Sequence, residues 1–238
     1  GLGKGGNVTI GLPGAEFGAA ETVALSGGSK LESETFGSSH GGGVAITSMS
    51  LTMDEATVNA ITHGVGSGGD IVVGVQHASL LGGATIATHT TSGDLDAAAG
   101  SKITLQGLGK PKADSVTLSG FGSGIVSETS GTGPSGDIMV HAKTVSLTDG
   151  AVIQTGSPDT TGPAGNVTIN ADSVDISGGS LILSQPAAGE AGQVAITANT
   201  TYIISYWSSL GNYSDAHPYF TSAVVNAPLR ALADGEDG

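Results

Sequence analysis

Seven short β-runs recur along this chain, each behind a glycine-bearing turn. They are Val8-Thr9-Ile10, Val44-Ala45-Ile46, Ile71-Val72-Val73, Ile103-Thr104-Leu105, Ile138-Met139-Val140, Val167-Thr168-Ile169 and Val194-Ala195-Ile196. Counted from the last residue of each run, the steps are 36, 27, 32, 35, 29 and 27 residues. A repeat of this length with no helical period inside it predicts a stacked solenoid. The expected fold is all-β: a right-handed parallel β-helix (solenoid) of about seven coils, with three short strands per coil.

The clearest unit opens at Gly136-Asp137 with the strand Ile138-Met139-Val140. Val145-Ser146-Leu147 follows, then the turn Asp149-Gly150 and the strand Ala151 to Thr155. The next unit matches it part by part, through Val174-Asp175-Ile176, Gly178-Gly179 and Ser180-Leu181-Ile182. The Gly pairs 27–28, 82–83 and 178–179 predict positive φ at a tight corner. Near Leu51 to Val58 the unit is poorer and has no such pair. In the third strand the inward pattern reads small, large aliphatic, small or hydroxyl, as in Ala84/Ile86/Thr88, Ala151/Ile153/Thr155 and Ser180/Ile182/Ser184. A narrow interior in which like stacks on like demands that pattern.

Composition narrows the function classes. Gly is 41 of 238 residues without a Gly-X-Y period, which excludes collagen. There are no cysteines, so a disulfide framework is excluded. Net charge is −14 with seven basic residues, of which Lys110 and Lys112 are the nearest approach to a cluster. Nucleic acid and anionic membrane surfaces need clustered cations and are not expected partners. No apolar run reaches bilayer length, so no membrane insertion is expected. The sequence starts at Gly1 with neither initiator Met nor signal peptide, and is read as a processed chain or a fragment.

Residues 1–200 are read as β-helix repeats, and 201–238 as a C-terminal capping segment with an acidic tail. Tyr202, Tyr206, Trp207, Tyr213, Tyr219 and Phe220 gather there and are expected to cap the last coil. Residues 226–233, with Pro228 in a first turn, are expected to form a short helix. The strand edge Val8, Thr9 and Ile10 has no visible cap. Together with the aromatic segment it is the expected assembly surface for head-to-tail stacking.

From Gly131 to Thr197 most clearly, and over most of residues 5–200, the chain resembles the repeat region of filamentous-haemagglutinin-like exoproteins of two-partner secretion. Gly165 to Ile169 fits that family's Gly-Asn-Val-Thr-Ile strand, and Asp149 to Ile153 its Gly-Ala-x-Ile element. The resemblance implies a right-handed β-helix secreted to a bacterial cell surface, and it carries no catalytic residue across. The family's N-terminal secretion domain is absent, and the aromatic segment stands outside the repeat.

Parallel β-helices include polysaccharide lyases and hydrolases, which use carboxylates from adjacent coils. Glu32 and Glu34 face Asn59 and Ile61 of the next coil, while Glu128 stacks beside His89 as the best acid/base pair. A simple surface pair outweighs that reading. Histidines 40, 63, 77, 89, 141 and 217 lack metal-ligand spacing, and Asp234, Glu236 and Asp237 lack a calcium-loop pattern. No cofactor or metal is expected. An ice-binding threonine ladder would need more than Thr57 and Thr85. The sequons at Asn7, Asn166 and Asn199 coincide with the repeat, and stacked polar residues Asp137, Asn166 and Gln193 at one corner explain them better.

The expected function is therefore non-enzymatic: an extracellular structural or adhesive β-solenoid, binding itself or a cell-surface glycan or protein. A carbohydrate-active β-helix enzyme is the alternative.

Overall fold

The computed structural model describes residues 4–12, 19–36, 39–63, 66, 68–90, 101–156, 162–185, 190–203, 223–226 and 229–230. In order, the first strands are β1 (Val8–Ile10), β2 (Ala20–Ser26), β3 (Lys30–Phe36), β4 (Val44–Asp54), β5 (Thr57–His63), β6 (Ile71–Leu81) and β7 (Thr85–Thr90). Next come β8 (Ile103–Gly107), β9 (Ala113–Ser119), β10 (Gly124–Thr129), β11 (Ile138–Thr148), β12 (Val152–Thr155) and β13 (Val167–Asn170). The last are β14 (Ser173–Ile176), β15 (Leu181–Ser184), β16 (Val194–Thr197), β17 (Thr200–Ile203), β18 (Ala223–Asn226) and β19 (Leu229–Arg230). No helix occurs among the described residues.

Every strand pair is parallel, so the chain is a β-solenoid. One sheet follows the order β1-β4-β6-β8-β11-β13-β16-β18, with second-strand segments off this path. The other runs β15-β12-β10-β7-β5-β3, six strands over five coil-to-coil steps. Its register is the one expected from the repeat: Lys30, Thr57, Thr85, Gly124, Val152 and Leu181 occupy one column.

Columns of like residues build the core. Leu31, Val58, Ile86, Ile125, Ile153 and Ile182 stack in one, and Leu25, Met53, Leu80, Leu118, Leu147 and Ile176 in another. Burying each such side chain stabilises the fold by about 1.5–3 kcal/mol. A third column carries hydroxyls inward, and these find partners on the returning chain. Ser33 Oγ donates to Gly6 O at 2.6 Å, and Thr155 Oγ1 and Ser184 Oγ both donate to Gly165 O, at 2.6 and 2.9 Å.

The glycine that opens each unit has a different cause from the corner pairs. A Cβ on Gly42 would lie 2.0 Å from Gly6 O, on Gly69 2.0 Å from Gly42 O, on Gly165 2.2 Å from Gly136 O, and on Gly192 2.0 Å from Gly165 O. At these four positions the coils approach backbone to backbone and only glycine leaves room, whereas Ser101 holds the corresponding place before β8. The corner pairs do have positive φ, for example 60° and 77° at Gly27 and Gly28.

Beside the glycine column runs the polar corner. Asn7 Oδ1 accepts from Gly43 N–H at 2.9 Å, Asp70 Oδ1 from Lys102 N–H at 2.8 Å, Asp137 Oδ1 from Asn166 N–H at 2.9 Å, and Asn166 Oδ1 from Gln193 N–H at 2.8 Å. At these four positions a side chain satisfies a backbone donor of the next coil, while Gly43 and Lys102 occupy the same column without an acceptor side chain.

Four expectations are corrected or refined. First and second strands are continuous in β4, β6 and β11, each 11 residues long, because no turn-forming pair interrupts them and the strand bends instead of breaking. The unit without a Gly pair turns at Glu55, which takes φ of 51°. Parallel stacking continues past residue 200, since β17 pairs β14 and β18 pairs β16. Leu229–Arg230, inside the expected helix 226–233, is a strand on β17. An unpaired edge offers backbone partners that a two-turn helix in water cannot match.

Two insertions interrupt the bend between first and second strands. Ten residues separate Ile10 from Ala20 where two separate their counterparts Ile46 and Ser48. Eight separate Gly107 from Ser115 where two separate Val75 from His77.

Candidate functional site

The first coil holds the expected assembly edge. Among the described residues β1 and β2 pair only with β4, and β3 only with β5. Val8 and Ile10 pack against the core while Thr9 is exposed. At the end of β3, Phe36 is 69% exposed and stacks on His63 of the next coil, centroids 4.7 Å apart and planes within 12°. His63 Nε2 also meets Glu34 Oε1 at 2.8 Å. Of the aromatic segment, Tyr202 lies on β17 in register with Asp175 and Arg230. Tyr206, Trp207, Tyr213, Tyr219 and Phe220 lie outside the described residues, as do His217, Asp234, Glu236 and Asp237.

The acid/base pair stands where the register put it, Glu128 opposite His89. Its Oε2 is 3.9 Å from His89 Nδ1, and Ser130 Oγ lies 3.3 Å from His89 Nε2. Glu32 is bound instead by Asn59 Nδ2 at 3.3 Å. Glu34 and Glu128 share a column but stand three coil steps apart, roughly 14 Å at strand spacing. The structure therefore does not bring Glu32, Glu34 and Glu128 together. Among the described residues no three His, Asp or Glu gather as a metal set, and no helix is long and apolar enough to cross a membrane.

A second charged group was not singled out from the sequence. At the bend between first and second strands, Asp114, Lys143 and Asp172 follow one another on successive coils. Lys143 Nζ donates to Asp114 Oδ1 at 2.6 Å, Lys110 Nζ is 4.0 Å from Asp114 Oδ2, and Lys112 Nζ donates to Asp172 Oδ1 at 2.8 Å. Three of the chain's seven basic residues thus share one outer face with two carboxylates. The Lys143 hydrogen bond, with the nearby charges of Lys143, Lys110 and His77, holds the Asp114 carboxyl below its ordinary range. Reciprocally, the hydrogen bond to Asp114 raises Lys143. The signal was present in the spacing: 114, 143 and 172 are 29 residues apart, one coil step each.

No family model, no curated protein and no solved structure matches the chain.

Proposed function

We propose that this chain is a non-enzymatic extracellular solenoid with a structural or adhesive role. Its outer faces serve as the contact surface for cells, matrix glycan or protein, or sister chains. The carrying observation is the register: six third strands align residue for residue over five steps. Such a stack makes a stiff rod with repeating surface columns. On this reading the rod has about seven right-handed coils of three strands, and the aromatic segment 202–220 belongs to the end where β18 stacks on β16. It acts at a bacterial surface, like the filamentous-haemagglutinin-like exoproteins whose repeat it resembles. The Val8–Ile10 edge supports self-association, because its outer side has no partner among the described residues. Incubation with acidic and neutral polysaccharides, scored both for retention and for cleavage, tests the proposal. Retention without turnover is the expected result, and robust turnover overturns it.

A carbohydrate-active enzyme is the second reading. The observation that favours it is the pair Asp114 and Asp172 flanking Lys143 on one outer face. It requires cleavage that Asp114→Asn or Asp172→Asn abolishes, whereas the His89–Glu128 pair would make Glu128→Gln the silencing change.

A further inference from the structure

The six-residue insertion between β8 and β9 builds a groove. Insertions on solenoids fall on one face, often the binding face. Here the loop 108–112 stands beside the outer surface of β4 and β6 and forms with them an open groove of about 500 Å³. That volume is within the range of small-ligand sites. The loop is fixed rather than loose. Gly107 turns so tightly that a Cβ would lie 2.3 Å from Lys112 O. Leu108 is buried, and its N–H donates to Val75 O at 3.1 Å. A wall held in this way loses little order on binding.

The lining has three kinds of chemistry. Val72, 40% exposed, and Pro111 offer apolar surface. Gln106, exposed, offers an amide that both donates and accepts, while Thr47 is buried beneath the floor. Lys110 supplies a cation at the wall. Its carboxylate neighbour among the described residues, Asp114, is already held by Lys143 at 2.6 Å and stands 4.0 Å from Lys110. One carboxylate between two ammonium groups leaves Lys110 with capacity for another anion. Apolar patches for the CH faces of a ring, the Gln106 amide for its hydroxyls and one ammonium for a carboxylate together describe an acidic sugar. A peptide strand fits less well, because this is a sheet face and offers no unpaired backbone edge.

We propose that this groove binds an acidic, uronate-type oligosaccharide, with Lys110 meeting a sugar carboxylate. This rests on the adhesive-surface reading and names its ligand class. The net charge of −14 does not forbid it, since at physiological salt charges beyond about 8 Å are largely screened.

The test titrates the whole chain with trigalacturonic acid and with neutral maltotriose, by calorimetry and by amide NMR shifts. Two variants report on the groove. Lys110→Gln removes the cation. Gly74→Leu fills the floor; its Cβ meets nothing nearer than Ile46 O at 4.0 Å, and Lys110→Gln keeps the test decisive if the larger side chain disturbs folding. The expected result is binding of the acidic trisaccharide with shifts at Val72, Gly74 and Gln106. Each variant should weaken it about tenfold or more, and added salt should weaken it too. Maltotriose bound as tightly as the acidic sugar overturns the assignment, as does acidic binding that both variants leave unchanged. If the chain adheres to cells or matrix and Lys110→Gln adheres equally, the groove assignment fails while the adhesive reading stands. Cleavage of the bound sugar supports the groove and sinks the non-enzymatic reading instead.

Discussion

The side chain of Asp137 accepts two hydrogen bonds from Asn166, its counterpart one coil on. The backbone N–H donates at 2.9 Å and Nδ2 at 3.3 Å, both to the same Oδ1. Asn166 Oδ1 in turn accepts from the backbone N–H of Gln193 at 2.8 Å. Where the residue before a first strand is Asp or Asn, it is therefore a coil-to-coil staple. Asp137→Ala removes the acceptor and should cost about 1 kcal/mol in a urea unfolding experiment. Asp137→Asn retains an acceptor oxygen and should cost less. Equal losses in the two variants would show that the acceptor is not what matters.

Two glycine substitutions separate two reasons for glycine. Gly165→Ala would place a Cβ 2.2 Å from Gly136 O, against backbone that cannot swing aside. Gly179→Ala meets nothing within 4 Å but must hold φ of 75°. The first should lose about 3 kcal/mol or fail to fold, as overpacking does at its upper end. The second should lose about 1 kcal/mol, the lower end of the left-handed penalty. Guanidinium midpoints of both variants check the order, and the reverse order would refute the close-approach explanation.

The third strand was legible residue by residue because two signals agreed there. Apolar alternation gave the inward side, and the Gly pair fixed where counting starts. Hence Glu128 fell opposite His89 in the structure as in the sequence. The polar corner at Asp137, Asn166 and Gln193 was legible for the same reason. The continuity of β4, β6 and β11 was not, because a bent strand and two strands with a short gap share one hydrophobic pattern. The Lys–Asp face was missed because the insertion 108–112 hides the alignment of Asp114 with Lys143 until pairing restores it. Beyond Ile196, the aromatic residues drew attention from Thr200–Ile203 and Ala223–Asn226, which still carry β-pattern.

The pair Asp114–Lys143 makes a directional claim about pH. Asp114 titrates below 3.8 in the folded chain, so its contribution to stability is present above that value and is lost as pH falls through the folded pKa. Lys143 titrates above 10.5, so its contribution is present below that value and is lost as pH rises through the folded pKa. Both contributions are complete between these limits. Lys143→Met should move the Asp114 carboxyl titration upward, read by carboxyl carbon NMR. The companion Lys112→Met, whose partner is Asp172, should move it much less. An Asp114 titration that ignores Lys143→Met would discard the hydrogen bond as the cause.

The last prediction concerns the strand edge. Val8 N–H donates to Gly43 O at 3.0 Å, on the side of the second coil. Successive N–H groups of a strand point to alternate sides, so Thr9 N–H points away from that coil. If sister chains stack head to tail, Thr9 N–H is a donor to the incoming strand, and Thr9→Pro deletes it. No described partner is lost within the chain and an edge strand tolerates proline, so the chain should stay folded with a loss of about 1 kcal/mol set by proline's fixed φ. Electron microscopy at high protein concentration should then show long rods for the parent and short dispersed ones for Thr9→Pro. Trp207→Ala probes the other expected end, the aromatic segment, and should also shorten the rods. Short dispersed rods for the parent, unchanged by either substitution, would exclude a filament built through this edge and leave the outer faces as the working surface.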